Sequence, residues 1–381
     1  MQRIGLDLRA TEADFKQHAH RGTGRYVREV YQAIRETDKF EIRGLFSSDL
    51  SHFALEKLPM LGKRTIETQV LLPRRLENRG FDLVHFFSHG DAPAWGGLPT
   101  VVSVLDLIPL IFPDLYSAGK SSLRFKFARY LENSAAKKAL GVLAISEATK
   151  NDVVKILNIS PDKVFVTPLA VNQDFLLLDG EFESKAQFRE ELKICSPSLL
   201  YVGGIDARKN IIFLLEVFRE LLDSYHWEIA PKLYFAGRIQ GDDKYLAFRD
   251  KVSELKLNEQ VCELGFVSDV ELKKLYIAAD VFVFPSFYEG FGLPVLEAMT
   301  RGLAVVAGDN SSIPEVVGAN YTLCPDNDAQ AWTKQIYRLL TDKLENSRLS
   351  SLGIERSKNF SWKKTADLTL AAYAKLLERR V

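Results

Sequence analysis

Short apolar runs recur along the first half of the chain, at residues 3–8, 81–87 (FDLVHFF), 101–107 (VVSVLDL), 142–147 (VLAISE) and 163–168 (KVFVTP). A second series follows at 198–204 (SLLYVGG), 232–237 (KLYFAG), 261–266 (VCELGF), 281–284 (VFVF) and 304–308. Runs of this length, rich in Val, Leu and Phe, read as strands buried on both faces. Between them the apolar positions change period. Tyr26, Val27, Val30, Tyr31 and Ile34 share one helical face, and similar spacing marks 211–222, 329–340 and 360–377. Strands alternating with helices predict an α/β chain with doubly wound parallel sheets.

The chain has 381 residues, enough for two domains with separate cores. An acidic segment at 179–191 reads as a linker, which sets expected domains at 1–178 and 179–361, followed by a C-terminal helix over 362–381. The 50 basic and 50 acidic residues cancel, and nothing in the charge argues for nucleic-acid binding. Cys195, Cys262 and Cys324 have no zinc or redox spacing and are expected to be reduced core thiols of a cytosolic protein. The start, MQRIGLDLRA, lacks the apolar core of a leader, and no run is long enough for a membrane span. The helix at 121–139 mixes Arg124, Lys126 and Arg129 with Phe125, Phe127 and Tyr130. Two readings stay open there: docking on an anionic membrane surface, or buried aromatics with solvated charges.

Candidate chemistry concentrates in 281–302, VFVFPSFYEGFGLPVLEAMTRG. The strand runs into a glycine-broken loop, Glu289-Gly290-Phe291-Gly292, and Pro294 then suits the first turn of a helix. Glycines let backbone N–H groups approach a ligand, and a helix N-terminus favours anions. Glu289 on the loop and Glu297 in the opening helical turn bracket this arrangement, which suits a hydroxyl-rich group joined to a diphosphate. Arg208 and Lys209 lie between another strand and its helix, where two cations can clamp a diphosphate. Arg238 directly follows the strand at 232–237. His89 lies at the carboxyl end of a strand, where open α/β sheets bind ligands, whereas His85 within that strand reads as a satisfied core histidine.

Other motifs fail on detail. Gly22-Thr23-Gly24 opens a helix but has no third glycine at dinucleotide spacing. Gly119-Lys120-Ser121 mimics a P-loop tail, but Asp114 stands where the first glycine is needed. Asp326-Asn327-Asp328 mimics a metal motif but reads more simply as a helix cap.

The stretch EGFGLPVLE, a Glu pair separated by seven residues with a GFG turn, resembles the retaining glycosyltransferases of family 4, which have the GT-B fold. The resemblance implies two facing Rossmann-like domains with a cleft between them, and a C-terminal helix passing back across the junction. It implies that Glu297 binds ribose hydroxyls, while Glu289, Gly290, Phe291, Gly292 and Leu293 hold the donor. Arg208 and Lys209 correspond to the family's phosphate-binding pair, although Gly204 replaces its first arginine. Gly22 and Gly24 face the diphosphate and acceptor, and Phe266 and Val267 the base. The family's His-Asp pair appears here as Leu105-Asp106, so Asp106 either touches sugar or acceptor hydroxyls or caps the turn before Pro109. His89 falls on the acceptor side. The implied reaction moves a sugar from GDP-mannose or a UDP-sugar to a glycan or lipid-linked hydroxyl, with no metal or other cofactor. The implied setting is the cytoplasm, with peripheral contact at the inner membrane face. A nucleotide-sugar 2-epimerase and a non-catalytic sugar-binding scaffold are the competing classes.

Overall fold

A computed structural model describes residues 1–12, 22–50, 67–114, 123–177, 180–195 and 197–379. Gly119-Lys120-Ser121, the beginning of the 121–139 helix and the expected boundary at 178–179 lie outside the described residues. The chain forms two compact units: Met1–Leu169 with Ser361–Val381, and Ala170–Phe360.

The first unit is built on a parallel sheet in the order β2-β1-β3-β4-β5-β6. Its strands are β1 (Arg3–Asp7), β2 (Glu41–Leu45), β3 (Leu83–Phe86), β4 (Thr100–Val104), β5 (Gly141–Ala144) and β6 (Val164–Val166). The central strands β3, β4 and β5 are buried along their whole length, as their unbroken apolar runs require. Nothing in the hydrophobic pattern marks β2. Its Glu41 and Arg43 are exposed because it is the outermost strand of this sheet. Helix α1 (Thr23–Ile34) begins after Gly22, whose φ of 61° lies in the left-handed region. It buries Tyr26, Val27, Val30 and Ile34, the face expected from their spacing.

Helix α2 (Leu123–Lys138) turns Leu131, Ala135 and Ala136 inward and leaves Phe127 48% and Tyr130 61% exposed. Helix α3 (Glu147–Leu157) is capped by Ser146, whose Oγ accepts from Thr149 N at 3.0 Å. The C-terminal helix Trp362–Glu378 packs on α1 and on β5. Contact with β5 is so close that a Cβ on Gly141 would fall 2.4 Å from Leu376.

A five-stranded parallel sheet in the order β11-β10-β7-β8-β9 forms the second unit. The strands are β7 (Ser198–Val202), β8 (Lys232–Ala236), β9 (Val261–Gly265), β10 (Val281–Phe284) and β11 (Ala304–Ala307). Helix α4 (Ile211–Ser224) follows β7, α5 (Asp269–Ala278) follows β9, and α6 (Leu293–Thr300) follows β10. Helix α7 (Ala329–Thr341) packs on α4, with Phe213 and Trp332 edge to face at 5.8 Å. Asp328 caps α7, its Oδ1 accepting from Ala331 N at 3.0 Å, and the Asp-Asn-Asp stretch is a helix start. Only Cys324 of the three cysteines is buried; Cys262 is partly exposed and Cys195 exposed, which corrects the expectation of core thiols. Cys195 lies on the loop before β7, outside the packed layer. Among the described residues, no helix is long and apolar enough to cross a membrane.

Candidate active site

The carboxyl ends of β7 and β10 are adjacent because those strands pair in parallel. From β7 the chain passes through Gly203 and Gly204 into a short turn, Ala207–Lys209, and enters α4 through Asn210, whose φ is 56°. Asn is among the few residues that adopt this left-handed conformation cheaply. The turn directs Lys209 inward, leaving it 8% exposed. From β10 the chain runs through Pro285 to Glu289, also buried, and Gly292 opens α6 with φ 96°.

These two loops meet through charge. Lys209 Nζ donates to Glu289 Oε1 at 2.6 Å, and Arg208 Nη1 lies 2.9 Å from the same oxygen. Arg208 also donates to Tyr288 O at 3.1 Å, and its Nε is 3.2 Å from Asp206 Oδ1. A backbone bond from Phe287 N to Arg208 O, 2.9 Å, joins the loops a second time. Lys209 Nζ stands 5.2 Å from the centre of the Phe284 ring. Burial works against the Glu289 charge, but Lys209 and Arg208 outweigh it and hold the carboxyl below its ordinary range.

A layer of neutral groups fixes this cluster. Ser311 Oγ accepts from Glu289 N, and Ser312 Oγ donates to Glu289 O, both at 3.0 Å. Asn310 Nδ2 donates to Ser286 O at 3.0 Å. Tyr201, fully buried under the β7 turn, donates to Gly204 O at 2.6 Å. Burial first, and then the Glu289 and Asp206 charges, push its hydroxyl pKa well up. None of these partners is evident in the sequence, although the Ser-Ser turn after β11 is a polar stretch that such a search can flag.

Glu297 falls one residue beyond the opening turn of α6 and is buried, accepting from Tyr276 OH at 3.0 Å. Phe291 is buried, its ring packed against Phe360 with centres 5.7 Å apart. Gly290 and Gly292 are buried beside it, and Leu293 is half-exposed at the helix start. Phe266 and Val267 follow β9; Phe266 is 58% exposed, with the Arg238 guanidinium 5.5 Å from its ring centre. Gly204 has open space around it, with no atom within 4 Å of a Cβ built there.

The first unit carries the remaining candidates. Gly22 is exposed before α1, and Gly24 is buried within its first turn. His89 sits half-exposed in a short turn, His89–Asp91, beyond β3. Asp106 Oδ1 accepts from Ile108 N at 3.1 Å, so this carboxylate does cap the turn ahead of Pro109. One pair at the strand ends has no signal in the sequence. Arg9 donates from Nε and Nη2 to the two oxygens of Asp7, each at 2.8 Å, and from Nη2 to Asp91 O at 3.2 Å. Both side chains are buried. Among the described residues, no cluster of three or more His, Cys, Asp or Glu side chains is gathered as metal ligands would be.

Two parallel α/β units, one with a charged cluster and a glycine loop at its strand ends, define a protein of the GT-B fold. Residues 184–356 match the family described as "Glycosyl transferases group 1", and residues 21–175 match "Glycosyltransferase Family 4". The chain belongs to glycosyltransferase family 4. It is 31% identical over 253 residues to the O-antigen chain mannosyltransferase B of Escherichia coli, covering 64% of each chain. It is 29% identical over 279 residues to the serotype-specific mannosyltransferase WbdA of the same species, a match covering 73% of this chain and only 34% of WbdA. Among solved structures, the sucrose-phosphate synthase of Thermosynechococcus elongatus aligns with TM-score 0.72 at 20% identity, covering 100% of both chains. WaaG, a glycosyltransferase involved in lipopolysaccharide biosynthesis, aligns with TM-score 0.70 at 16% identity over 97% of this chain and 98% of its own. At such identities these structures bear on the fold alone.

Proposed function

We propose that the chain is a retaining, metal-independent hexosyltransferase that moves a sugar, with mannose preferred, from a nucleotide diphosphate donor to an acceptor hydroxyl. The observation that carries this reading is the convergence of Arg208 and Lys209 on Glu289 at the paired ends of β7 and β10. A diphosphate leaving group gathers negative charge as the glycosidic bond breaks. Two preorganised cations in a buried site stabilise that charge without reorganisation. The carboxylate now holding them is itself a hydroxyl acceptor. When a diphosphate takes over the cations, Glu289 is released to the donor sugar, and Glu297 receives the ribose hydroxyls. The departing phosphate oxygen then takes the acceptor's proton.

The preference for mannose and for bacterial polysaccharide assembly is supported by the two Escherichia coli relatives, one a serotype-specific and one an O-antigen chain mannosyltransferase. We assign acceptor binding to the first unit, with His89, Asp106, Gly22 and Gly24 at or near its strand ends, and donor binding to the second. A glycan or lipid-linked acceptor fits the exposed Phe127 and Tyr130 of α2, whose neighbours Lys126 and Arg129 suit peripheral contact with an anionic inner membrane face. Incubation with a panel of nucleotide sugars, with and without acceptor glycans, tests the proposal by release of nucleoside diphosphate. Absence of both release and thermal shift with every donor would defeat it and favour a scaffold.

A further inference from the structure

We propose that Arg238 reads the base of the nucleotide donor and selects guanine over uracil. This rests on the reading above that the second unit holds a nucleoside diphosphate.

Strands β7, β8 and β9 lie side by side, with Gly203 and Gly237 directly after β7 and β8 and Gly265 ending β9, at φ of 152°, 158° and 67°. Their backbones are tied across, Gly203 N donating to Ala236 O at 3.0 Å and Gly237 N to Gly265 O at 2.8 Å. A Cβ on Gly237 would fall 2.1 Å from Gly203 O, and one on Gly203 would fall 2.7 Å from the Tyr201 hydroxyl. Both positions therefore have to stay free of side chains. The result is a backbone floor along the carboxyl edge of the sheet, where open α/β folds bind ligands.

The two sides of this floor differ. Arg208 and Lys209 stand beyond β7, while Arg238 and Phe266 stand beyond β8 and β9. Neighbouring strands are about 4.8 Å apart, so β7 and β9 are separated by about 10 Å, a span that a ribose can bridge between diphosphate and base. Phe266, 58% exposed, offers a flat apolar face for stacking. The acid on β9, Glu263, is already engaged by Tyr245 OH at 2.9 Å and Arg249 Nη1 at 2.8 Å. Arg238 is exposed, and the Phe266 ring is its one recorded partner among the described residues. Its planar fork is thus available for two parallel hydrogen bonds, with the ring holding its orientation.

Base chemistry decides which nucleotide completes that fork. Guanine places two acceptors, O6 and N7, side by side, and the bidentate pairing of arginine with them is favourable. Adenine sets an acceptor beside a donor, and uracil separates its two carbonyls by an N–H, so neither matches two parallel donors; cytosine sets N3 beside O2 but offers Phe266 only a single small ring. Guanine also presents the larger face to Phe266.

Calorimetric titration of the full chain with GDP, UDP, ADP and CDP tests this, alongside Arg238→Met and Phe266→Ala. The expected result is GDP binding at least about tenfold tighter than the others, the scale of one bidentate contact. Arg238→Met, which keeps the stem and loses the fork, should remove that preference by weakening GDP while leaving UDP within about twofold. Phe266→Ala should weaken all four nucleotides together. Equal or tighter wild-type binding of UDP, ADP or CDP overturns the assignment and leaves the donor site standing. So does an Arg238→Met variant that loses GDP and UDP equally, since that marks a general charge effect. Failure of the wild type to bind any of the four overturns the donor-site reading itself, and this assignment with it.

Discussion

Each unit buries a polar cluster against its sheet, and the two clusters are built differently. In the first unit, besides the Asp7–Arg9 ion pair at the strand ends, a neutral cluster sits in the middle of the sheet. His85 on β3 is fully buried, with Nδ1 2.6 Å from Tyr373 OH and Nε2 2.9 Å from Ser103 Oγ. Tyr26 of α1 reaches the same Ser103 at 3.0 Å. Both ring nitrogens are thus satisfied, one donating and one accepting in a neutral imidazole. Burial pushes the His85 pKa down to about 3. In the second unit the cluster is charged and lies at the strand ends, where Glu289 faces two cations and Asp206 also meets one of them. A neutral, closed network binds helices to a sheet and leaves nothing for a ligand. A compensated ion cluster at a sheet edge keeps its charges in reserve, because an anion can displace the carboxylate from the cations. The position of a buried polar group, and whether it holds ions that a ligand can displace, therefore distinguish scaffold from site better than burial alone.

Perturbing the charged side should have the largest effect. Lys209→Ala is expected to lower turnover by about 100-fold to 1,000-fold, the usual cost of one preorganised charge-stabilising group. Its circular dichroism should stay native, and normal turnover in such a folded variant would remove Lys209 from the site. Glu289→Gln should separate binding from chemistry. With the carboxylate neutralised, free nucleoside diphosphate should bind about tenfold tighter while transfer falls. Unchanged diphosphate affinity by calorimetry would mean that Glu289 does not compete for the cations.

The neutral side should respond in stability and not in turnover. Tyr373→Phe leaves a buried imidazole nitrogen unpaired and should cost about 1–3 kcal/mol in denaturant unfolding, with kcat unchanged. The same network predicts a pH dependence. The unfolded chain protonates His85 near its ordinary 6.5, whereas the folded chain does so only near 3. Its contribution is therefore complete above about pH 6.5 and declines as pH falls toward 3, by up to about 1.4 kcal/mol per pH unit. His85→Phe should flatten that slope in a pH series of melts, and an unaltered slope would assign it to other groups. The smallest effect is expected at Asp328→Ala, where loss of the α7 cap should cost about 1 kcal/mol with activity intact.

Much of the architecture was legible because buried parallel strands leave unbroken apolar runs. VFVF and AVVA became β10 and β11, and the glycine-broken loop after β10 was visible from its composition alone. Strand β2 was not legible, since an outer strand with Glu41 and Arg43 has no continuous run. The residue types of the site were readable, but their pairing was not. Lys209 and Glu289 are 80 positions apart, and His85 and Tyr373 are 288 apart. Such contacts are created by topology and have no periodicity of their own. The Asp7–Arg9 pair is only two residues apart, but the long-range part of its setting, the bond from Arg9 Nη2 to Asp91 O, has no signal in the sequence either.

The crowding at Gly237 also constrains any attempt to retool the enzyme. Mutational libraries that include positions 203 and 237 will return mostly misfolded clones, because any side chain there strikes a neighbour. Gly204 has room for one, so a cation grafted at that point alone is the economical first move toward changed donor preference.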